Sequence, residues 1–104
     1  MAKKKIIWSE SAVKDFDSIL SFYEERNGNS RYSQKLLAEF KKITYILQKN
    51  NWLGRPVNKK GSSTRVIVMG NFLMFYEVKE IVIEVKLIWD NRRNPEKLPD
   101  ISKR

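Results

Sequence analysis

The spacing of apolar residues changes midway along the chain, and this change constrains the fold more than any other feature. Before about residue 50, apolar side chains recur every three or four positions, as at Val13, Phe16 and Leu20, which is the period of an amphipathic helix. Beyond about residue 65 they alternate with polar residues, which is typical of strands that have one covered face. The chain should therefore combine a helical half with a sheet half.

Two helices joined by a short turn are predicted in the first half. The first follows Ser9, whose hydroxyl can cap it, and runs to about Arg26, before the break at Asn27-Gly28-Asn29. The second spans residues 31–49 behind a predicted cap at Ser30. Its apolar residues share one face: Leu36, Phe40, Ile43 and Leu47. Because only a few residues separate the two helices, they should form an antiparallel hairpin.

Four strands are predicted around this hairpin. Residues 4–8 form a short strand, and a meander follows over residues 65–69, 72–78 and 81–89. Gly70-Asn71 is a two-residue hairpin signal between the first two strands of the meander. In the last strand, strict alternation assigns one set of residues to the core: Ile81, Ile83, Val85, Leu87 and Trp89. The pairing partner of the first strand stays open.

The predicted fold class is α+β, with the element order β-α-α-β-β-β. We expect the helical hairpin to pack on one face of a small, twisted, mainly antiparallel sheet. No linker or repeat divides the chain, so a single domain over residues 1–104 is expected. Residues 91–104 are polar and contain Pro95 and Pro99, which predicts an extended C-terminal tail.

The composition excludes several kinds of site. The 104 residues include no cysteine and no histidine. Neither a disulfide framework nor a thiolate or imidazole metal site is expected, and no cofactor is implied. The start of the chain lacks the apolar run of a signal peptide, and no window approaches the roughly 18 apolar residues of a membrane span. We expect a cytoplasmic protein with no membrane association.

A strong and uneven positive charge predicts a binding surface. The chain carries 21 Lys and Arg against 12 Asp and Glu, a net charge of +9, which attracts polyanions or an acidic protein. Residues 9–50 contribute only +1 of this charge, whereas residues 51–104 contribute +5. We expect exposed cations and a tryptophan to converge into one surface that binds a target or nucleic acid: Lys59, Lys60, Arg65, Arg92, Arg93 and Trp52. The alternative is a scattered set that only aids solubility.

A series of short motifs over residues 6–98 resembles the RelE/ParE toxins. The helix opening at residues 9–16 is followed by a Leu-Gly-Arg-Pro-like loop at residues 53–56 and by a strand entry at Arg65. The aromatic–Tyr pair Phe75-Tyr76 and an Arg-x-Pro-like element at residues 93–95 complete the match. No single motif is specific, so the resemblance rests on their order and spacing.

The resemblance implies the toxin of a bacterial type II toxin–antitoxin pair, a growth inhibitor neutralised by a cognate antitoxin. It also implies two alternative targets, because RelE-like members cut messenger RNA in the ribosomal A site whereas ParE-like members inhibit DNA gyrase. A non-toxic basic domain that binds nucleic acid or an antitoxin is a third alternative. The assembly could be a homodimer or a toxin–antitoxin hetero-oligomer.

The residues favour the gyrase target slightly. RNA cleavage needs a base, an acid and cations around the phosphate, and RelE-like members often take these from central strands and from a C-terminal aromatic or His. Here Leu73 replaces the strand cation, and residues 94–98 contain no Tyr or His. Asp90 and Glu77 could in principle act as the base, and Tyr76 could take part in the chemistry. The pattern favours structural roles instead: Glu77 should face solvent, Asp90 should end a strand, and Tyr76 should pack in the core. The catalytic residues, and whether the chain is an enzyme, are therefore left open.

Overall fold

The computed structural model describes residues 3–57 and 63–92. In chain order, the elements are β1 (Lys5–Trp8), α1 (Glu10–Asn27), α2 (Arg31–Lys49), β2 (Arg55–Pro56), β3 (Thr64–Met69), β4 (Phe72–Val78) and β5 (Val82–Asp90). This order confirms the predicted α+β fold, and the two-residue strand β2 is an addition to it. Neither of the described helices is long and apolar enough to cross a membrane.

The strands form one sheet in the order β1-β5-β4-β3-β2. Strand β1 runs parallel to β5, with Ile6 opposite Ile83, and the other neighbouring strands are antiparallel. A parallel pair needs a long crossover connection, and the helical hairpin begins that crossover directly after β1. The position of the first strand, which periodicity left open, is therefore the sheet edge beside the last strand.

The helical hairpin covers one face of the sheet and encloses the main core. Leu36 and Phe40 of α2 belong to the same buried cluster as Met74 and Ile83 of the central strands, and all four side chains are at most 2% exposed. The ring of Phe40 lies edge-to-face against Phe16 of α1, with 4.7 Å between the ring centroids. Burial of these aliphatic and aromatic side chains stabilises the packing of the hairpin on the sheet.

A β-bulge in β5 interrupts the alternation of its side chains. Along β4, Tyr76 lies opposite Val85, but the preceding residue Phe75 lies opposite Leu87. Lys86 is therefore an extra residue on β5. One extra residue shifts the alternation by one position, so that every later side chain changes face.

The predicted facing of the last strand is wrong beyond this bulge. Ile88 and Asp90 face the helices, while Leu87 and Trp89 lie on the opposite face of the sheet. Trp89 is consequently only partly buried, outside the main core. Ile81 is not in the core either, because it belongs to the turn before β5 and is 76% exposed.

The ends of the helices follow the local sequence signals with one exception. The hydroxyl of Ser9 accepts a hydrogen bond from a first-turn amide of α1 at 3.0 Å, and Gly28 ends that helix with a left-handed φ of 70°. Ser30, by contrast, makes no capping hydrogen bond at the start of α2. The side chain of Asn29 accepts from the Arg31 amide at 3.1 Å instead.

Candidate functional site

Arg65 and Arg92, the two arginines of the predicted cationic surface that the structure describes, do not lie in one patch. Arg65 lies on β3 opposite Tyr76, near one end of the sheet. Arg92 follows Asp90, which lies opposite Phe72 at the other end of β4. Tyr76 and Phe72 are four positions apart along β4, which corresponds to about 13 Å. The predicted convergence of the two arginines is wrong, because the start of the first strand and the end of the third lie at opposite ends of a meander.

Of the three members of the predicted set that the structure describes, it brings together Trp52 and Arg65. Arg92 belongs to a different cluster at the other end of the sheet. Lys59, Lys60 and Arg93 lie outside the described residues, so their role in binding stays a prediction.

Trp52 and Arg65 belong to a cluster that fixes the loop before β2, which we call the loop anchor (Asn51, Trp52, Gly54, Arg65 and Tyr76). The guanidinium of Arg65 stacks on the Trp52 ring at 4.7 Å from the ring centroid. One guanidinium nitrogen also donates to the carbonyl oxygens of Trp52 and Gly54 at 3.2 and 2.6 Å. Arg65 was expected to be an exposed cation, but it is partly buried because it satisfies these carbonyls.

Tyr76 supports the same loop from the sheet. Its side chain is 0% exposed, and its hydroxyl accepts from the Gly54 amide at 2.8 Å and donates to the Asn51 carbonyl at 3.1 Å. A Cβ atom at Gly54 would lie 2.7 Å from the Val66 carbonyl oxygen and 2.9 Å from the Tyr76 hydroxyl, so only glycine fits this approach. Burial raises the pKa of Tyr76, which keeps its hydroxyl protonated at neutral pH. The prediction that Tyr76 packs in the core is confirmed.

Asp90 is the centre of a second cluster, which we call the aspartate cluster (Tyr23, Tyr32, Phe72, Asp90 and Arg92). The Tyr23 hydroxyl donates to one carboxylate oxygen of Asp90 at 2.5 Å. The other oxygen accepts from the backbone amide and the Nε of Arg92 at 3.0 and 3.2 Å. Arg92 also donates to the Tyr32 hydroxyl at 3.0 Å and lies over the rings of Tyr23 and Phe72. The cluster therefore ties the end of β5 to both helices.

The contacts in this cluster shift the pKa values of Asp90 and Tyr23 in opposite directions. Burial opposes ionisation of Asp90, but hydrogen bonds from Tyr23 and Arg92 outweigh it and lower the pKa of the carboxyl. Burial, together with the bond to Asp90, raises the pKa of Tyr23 to about 12. Asp90 does end a strand as predicted, yet its buried carboxylate is already paired. A carboxylate with a lowered pKa is a weak general base at neutral pH.

Glu77 is engaged on the face of the sheet that points away from the helices. Its carboxylate forms an ion pair with Lys86 at 2.9 Å and accepts from the Ser63 hydroxyl at 3.2 Å. The hydrogen bond from Lys86 lowers the pKa of Glu77. Glu77 points away from the core as predicted, but it is half-buried rather than solvent-exposed.

The same face of the sheet, which we call the outer sheet face, is apolar beside this ion pair. The register aligns two rows of side chains across three strands: Val68, Leu73 and Trp89, then Val66, Phe75 and Leu87. Phe75 and Leu87 are 7% and 1% exposed, whereas Val68 is 55% exposed. Leu73, the position where the resemblance leads one to expect a cation, lies within this apolar patch.

Sequence reasoning missed the roles of Gly54, Tyr23 and Tyr32. The Leu-Gly-Arg-Pro-like motif did mark Gly54, although nothing in the sequence shows that a tyrosine hydroxyl lies against it. The contact of Asp90 with Tyr23 depends on the bulge, which turns Asp90 toward the helices and carries no sequence signal of its own.

Comparison with known proteins agrees with this architecture. Residues 6–95 match the family described as the ParE toxin of the type II toxin–antitoxin system parDE, while no curated protein sequence matches the chain. The chain is similar to a structure of the chromosomal ParDE toxin–antitoxin system from P. aeruginosa, with 19% identity, a TM-score of 0.66, and 83% of this chain and 94% of that chain covered. It is also similar to the E. coli DinJ–YafQ toxin–antitoxin complex, with 11% identity, a TM-score of 0.55, and 86% and 94% covered.

These identities are low, so the structural likeness shows a shared fold. The family assignment follows from the sequence match, which spans most of the chain. The chain belongs to the ParE toxin family of type II toxin–antitoxin systems.

Proposed function

We propose that this toxin inhibits DNA gyrase by binding to it, and that a cognate antitoxin neutralises it in the cytoplasm. The observation that carries the proposal is the engagement of all three acid–base candidates among the described residues. Asp90 is buried between Tyr23 and Arg92, the Tyr76 hydroxyl is bonded to the loop, and Glu77 is paired with a lysine. An inhibitor that acts by binding needs a contact surface and no general base.

The outer sheet face supports the same choice over RNA cleavage. The resemblance implies that RelE-like enzymes often place cations on the central strands, where they stabilise the charge that develops on the scissile phosphate. The corresponding face here is built from Leu73 and Phe75, with Val68 and Trp89 beside them. Phe75 is buried, Leu73 and Trp89 are partly buried, and Val68 is the exposed member of the four. Apolar side chains offer no such stabilisation, whereas they do suit contact with a protein.

We assign the contact with the target to the loop anchor. Trp52 and the neighbouring Leu53 are 52% and 43% exposed on a loop that Arg65 and Tyr76 hold in place. Exposed aromatic side chains beside arginine are typical of residues that dominate binding energy in interfaces. A loop that is already fixed loses little conformational entropy when it binds. Lys59, Lys60, Arg92 and Arg93 would add long-range electrostatic steering of the toxin toward its target.

Expression of the toxin in bacterial cells without an antitoxin tests the proposal. The wild-type chain should produce chromosomal double-strand breaks and an SOS response before translation falls, and primer extension should show no new message ends within codons. Trp52→Ala should reduce these breaks by at least about tenfold. Tyr45→Ala is the matched control, because Tyr45 is an aromatic side chain of similar exposure, 51%, whose ring contacts Lys3 and Lys49, and it should stay as toxic as the wild type.

The opposite order of events would overturn the gyrase assignment. Early cuts phased to codons on translating ribosomes, in cells with intact chromosomes, would establish the toxin as a messenger RNA nuclease. Equal loss of toxicity in the two variants would refute the assignment of the contact to Trp52.

A further inference from the structure

A pocket of about 270 Å³ lies where the end of α1, the start of α2 and the end of β5 meet. Its lining residues are Tyr23, Arg26, Asn27, Tyr32 and Arg92. Two of them carry guanidinium groups and none carries a carboxylate. Asp90, which pairs with Arg92, has a side chain with 0% exposure and therefore lies beneath the surface of the pocket. Excess positive charge in a concave site favours an anionic ligand.

The hydrogen-bonding groups around the pocket are arranged as donors. Arg92 uses Nε for Asp90 and one terminal nitrogen for the Tyr32 hydroxyl. Its side chain is 39% exposed and lines the pocket, so part of the guanidinium is open to a ligand. Because the Tyr32 hydroxyl accepts from Arg92, its own O–H can donate to another group. These donors suit a planar group with two oxygen atoms.

The pocket is also held in a fixed shape. The guanidinium of Arg92 lies 4.7 Å from the Tyr23 ring centroid and 5.8 Å from that of Tyr32, and the two rings contact each other edge-to-face. The buried bond between Tyr23 and Asp90 keeps this arrangement in place. A pre-organised arginine binds an oxyanion without first losing side-chain entropy.

We propose that this pocket binds a carboxylate group of the antitoxin polypeptide. Glu24 and Glu25 lie between the lining residues Tyr23 and Arg26 in sequence and are exposed in the last turns of α1. They would repel the many charges of a nucleic acid. A single carboxylate meets less repulsion, and the tyrosine rings can contact the apolar stem that carries it. The inference rests on the antitoxin part of the proposed function and is independent of the gyrase target.

Titration of the full-length, isotope-labelled chain with N-acetylglutamate, followed by NMR of the arginine Nε–H signals, tests the proposal. We expect saturable shifts at Arg26 and Arg92, with a dissociation constant on the order of millimolar for so small a probe. Inorganic phosphate and chloride at matched ionic strength are the comparison anions, and phosphate should bind no more tightly than the carboxylate.

Two variants with the same loss of charge provide the control. Arg26→Gln should weaken N-acetylglutamate binding by about tenfold or more, since it removes a charge-assisted donor. Arg31→Gln removes an exposed cation near the start of α2 that does not line the pocket, and it should change the affinity by less than about twofold. Equal weakening in both variants, the absence of saturation, or a tenfold preference for phosphate would each overturn the proposal. Gyrase inhibition by Arg26→Gln should be unchanged, so the two proposals can fail separately.

Discussion

Removal of the Tyr76 hydroxyl separates a structural role for this residue from a chemical one. In Tyr76→Phe, the Gly54 amide and the Asn51 carbonyl lose the hydroxyl that bonds to them at 2.8 and 3.1 Å. Each buried polar group left without a partner costs about 1–3 kcal/mol, so we expect a loss of about 2–4 kcal/mol if water partly replaces one bond. An unfolding entropy of about 2.1 cal/mol/K per residue over 104 residues converts this loss to a fall of about 10–18 °C in Tm.

Differential scanning calorimetry of Tyr76→Phe and of a matched control measures this effect. Tyr45→Phe makes the same chemical change on a side chain that is 51% exposed, and it should alter stability by less than about 0.5 kcal/mol. At temperatures well below the Tm of both variants, each variant should remain toxic. An unchanged Tm for Tyr76→Phe would refute the loop-anchor account. A folded but non-toxic Tyr76→Phe, beside a toxic Tyr45→Phe, would show that the Tyr76 hydroxyl is needed for toxicity itself and not only for stability.

Three further changes probe the two clusters. In Gly54→Ala, the new methyl group would lie 2.7 Å from the Val66 carbonyl oxygen. We expect the free energy of unfolding, measured by urea denaturation, to fall by about 1–3 kcal/mol. A fall no larger than that of Leu53→Ala would contradict the tight approach. The lowered pKa of Asp90 stabilises the fold above the unfolded carboxyl pKa of about 4, and this stabilisation is lost as the pH falls through the folded pKa. In Asp90→Asn, the free energy of unfolding should therefore fall less steeply as the pH is lowered. The same acid dependence in the variant and the wild type would be evidence against the pairing. The pKa of Tyr23 is raised from 10.0 to about 12, so its contribution to stability is present below pH 10 and is lost as the pH rises through the folded pKa. Tyr23→Phe should remove this alkaline loss of stability. A wild-type urea midpoint that does not change between pH 10 and 12 would contradict the prediction.

The elements of the fold could be predicted because each has its own hydrophobic period. Helix α2 was predicted at residues 31–49 and β4 at residues 72–78, as observed. The position of β1 could not be derived, since a strand with one apolar end can pair with any edge. The bulge at Lys86 could not be predicted either, because apolar and charged residues alternate without interruption across it.

The candidate site was harder to predict because its contacts join distant parts of the chain. The basic and aromatic residues of the second half pointed to Trp52 and Arg65. They did not indicate that the Arg65 guanidinium donates to the loop carbonyls. The prediction that Arg65 and Arg92 lie close together is wrong because of the topology: three antiparallel strands carry the chain to the opposite end of the sheet. The pairing of Tyr23 with Asp90 followed only once the register was known.

A gyrase assay with purified components tests the central claim most directly. The toxin is incubated with DNA gyrase, plasmid DNA and ATP, and in parallel with ribosomes translating a defined message. We predict toxin-dependent cleaved plasmid in the first reaction, reduced at least about tenfold by Trp52→Ala but not by Tyr45→Ala, and an intact message in the second. Unchanged gyrase activity together with a message cut within codons on the ribosome would contradict the account.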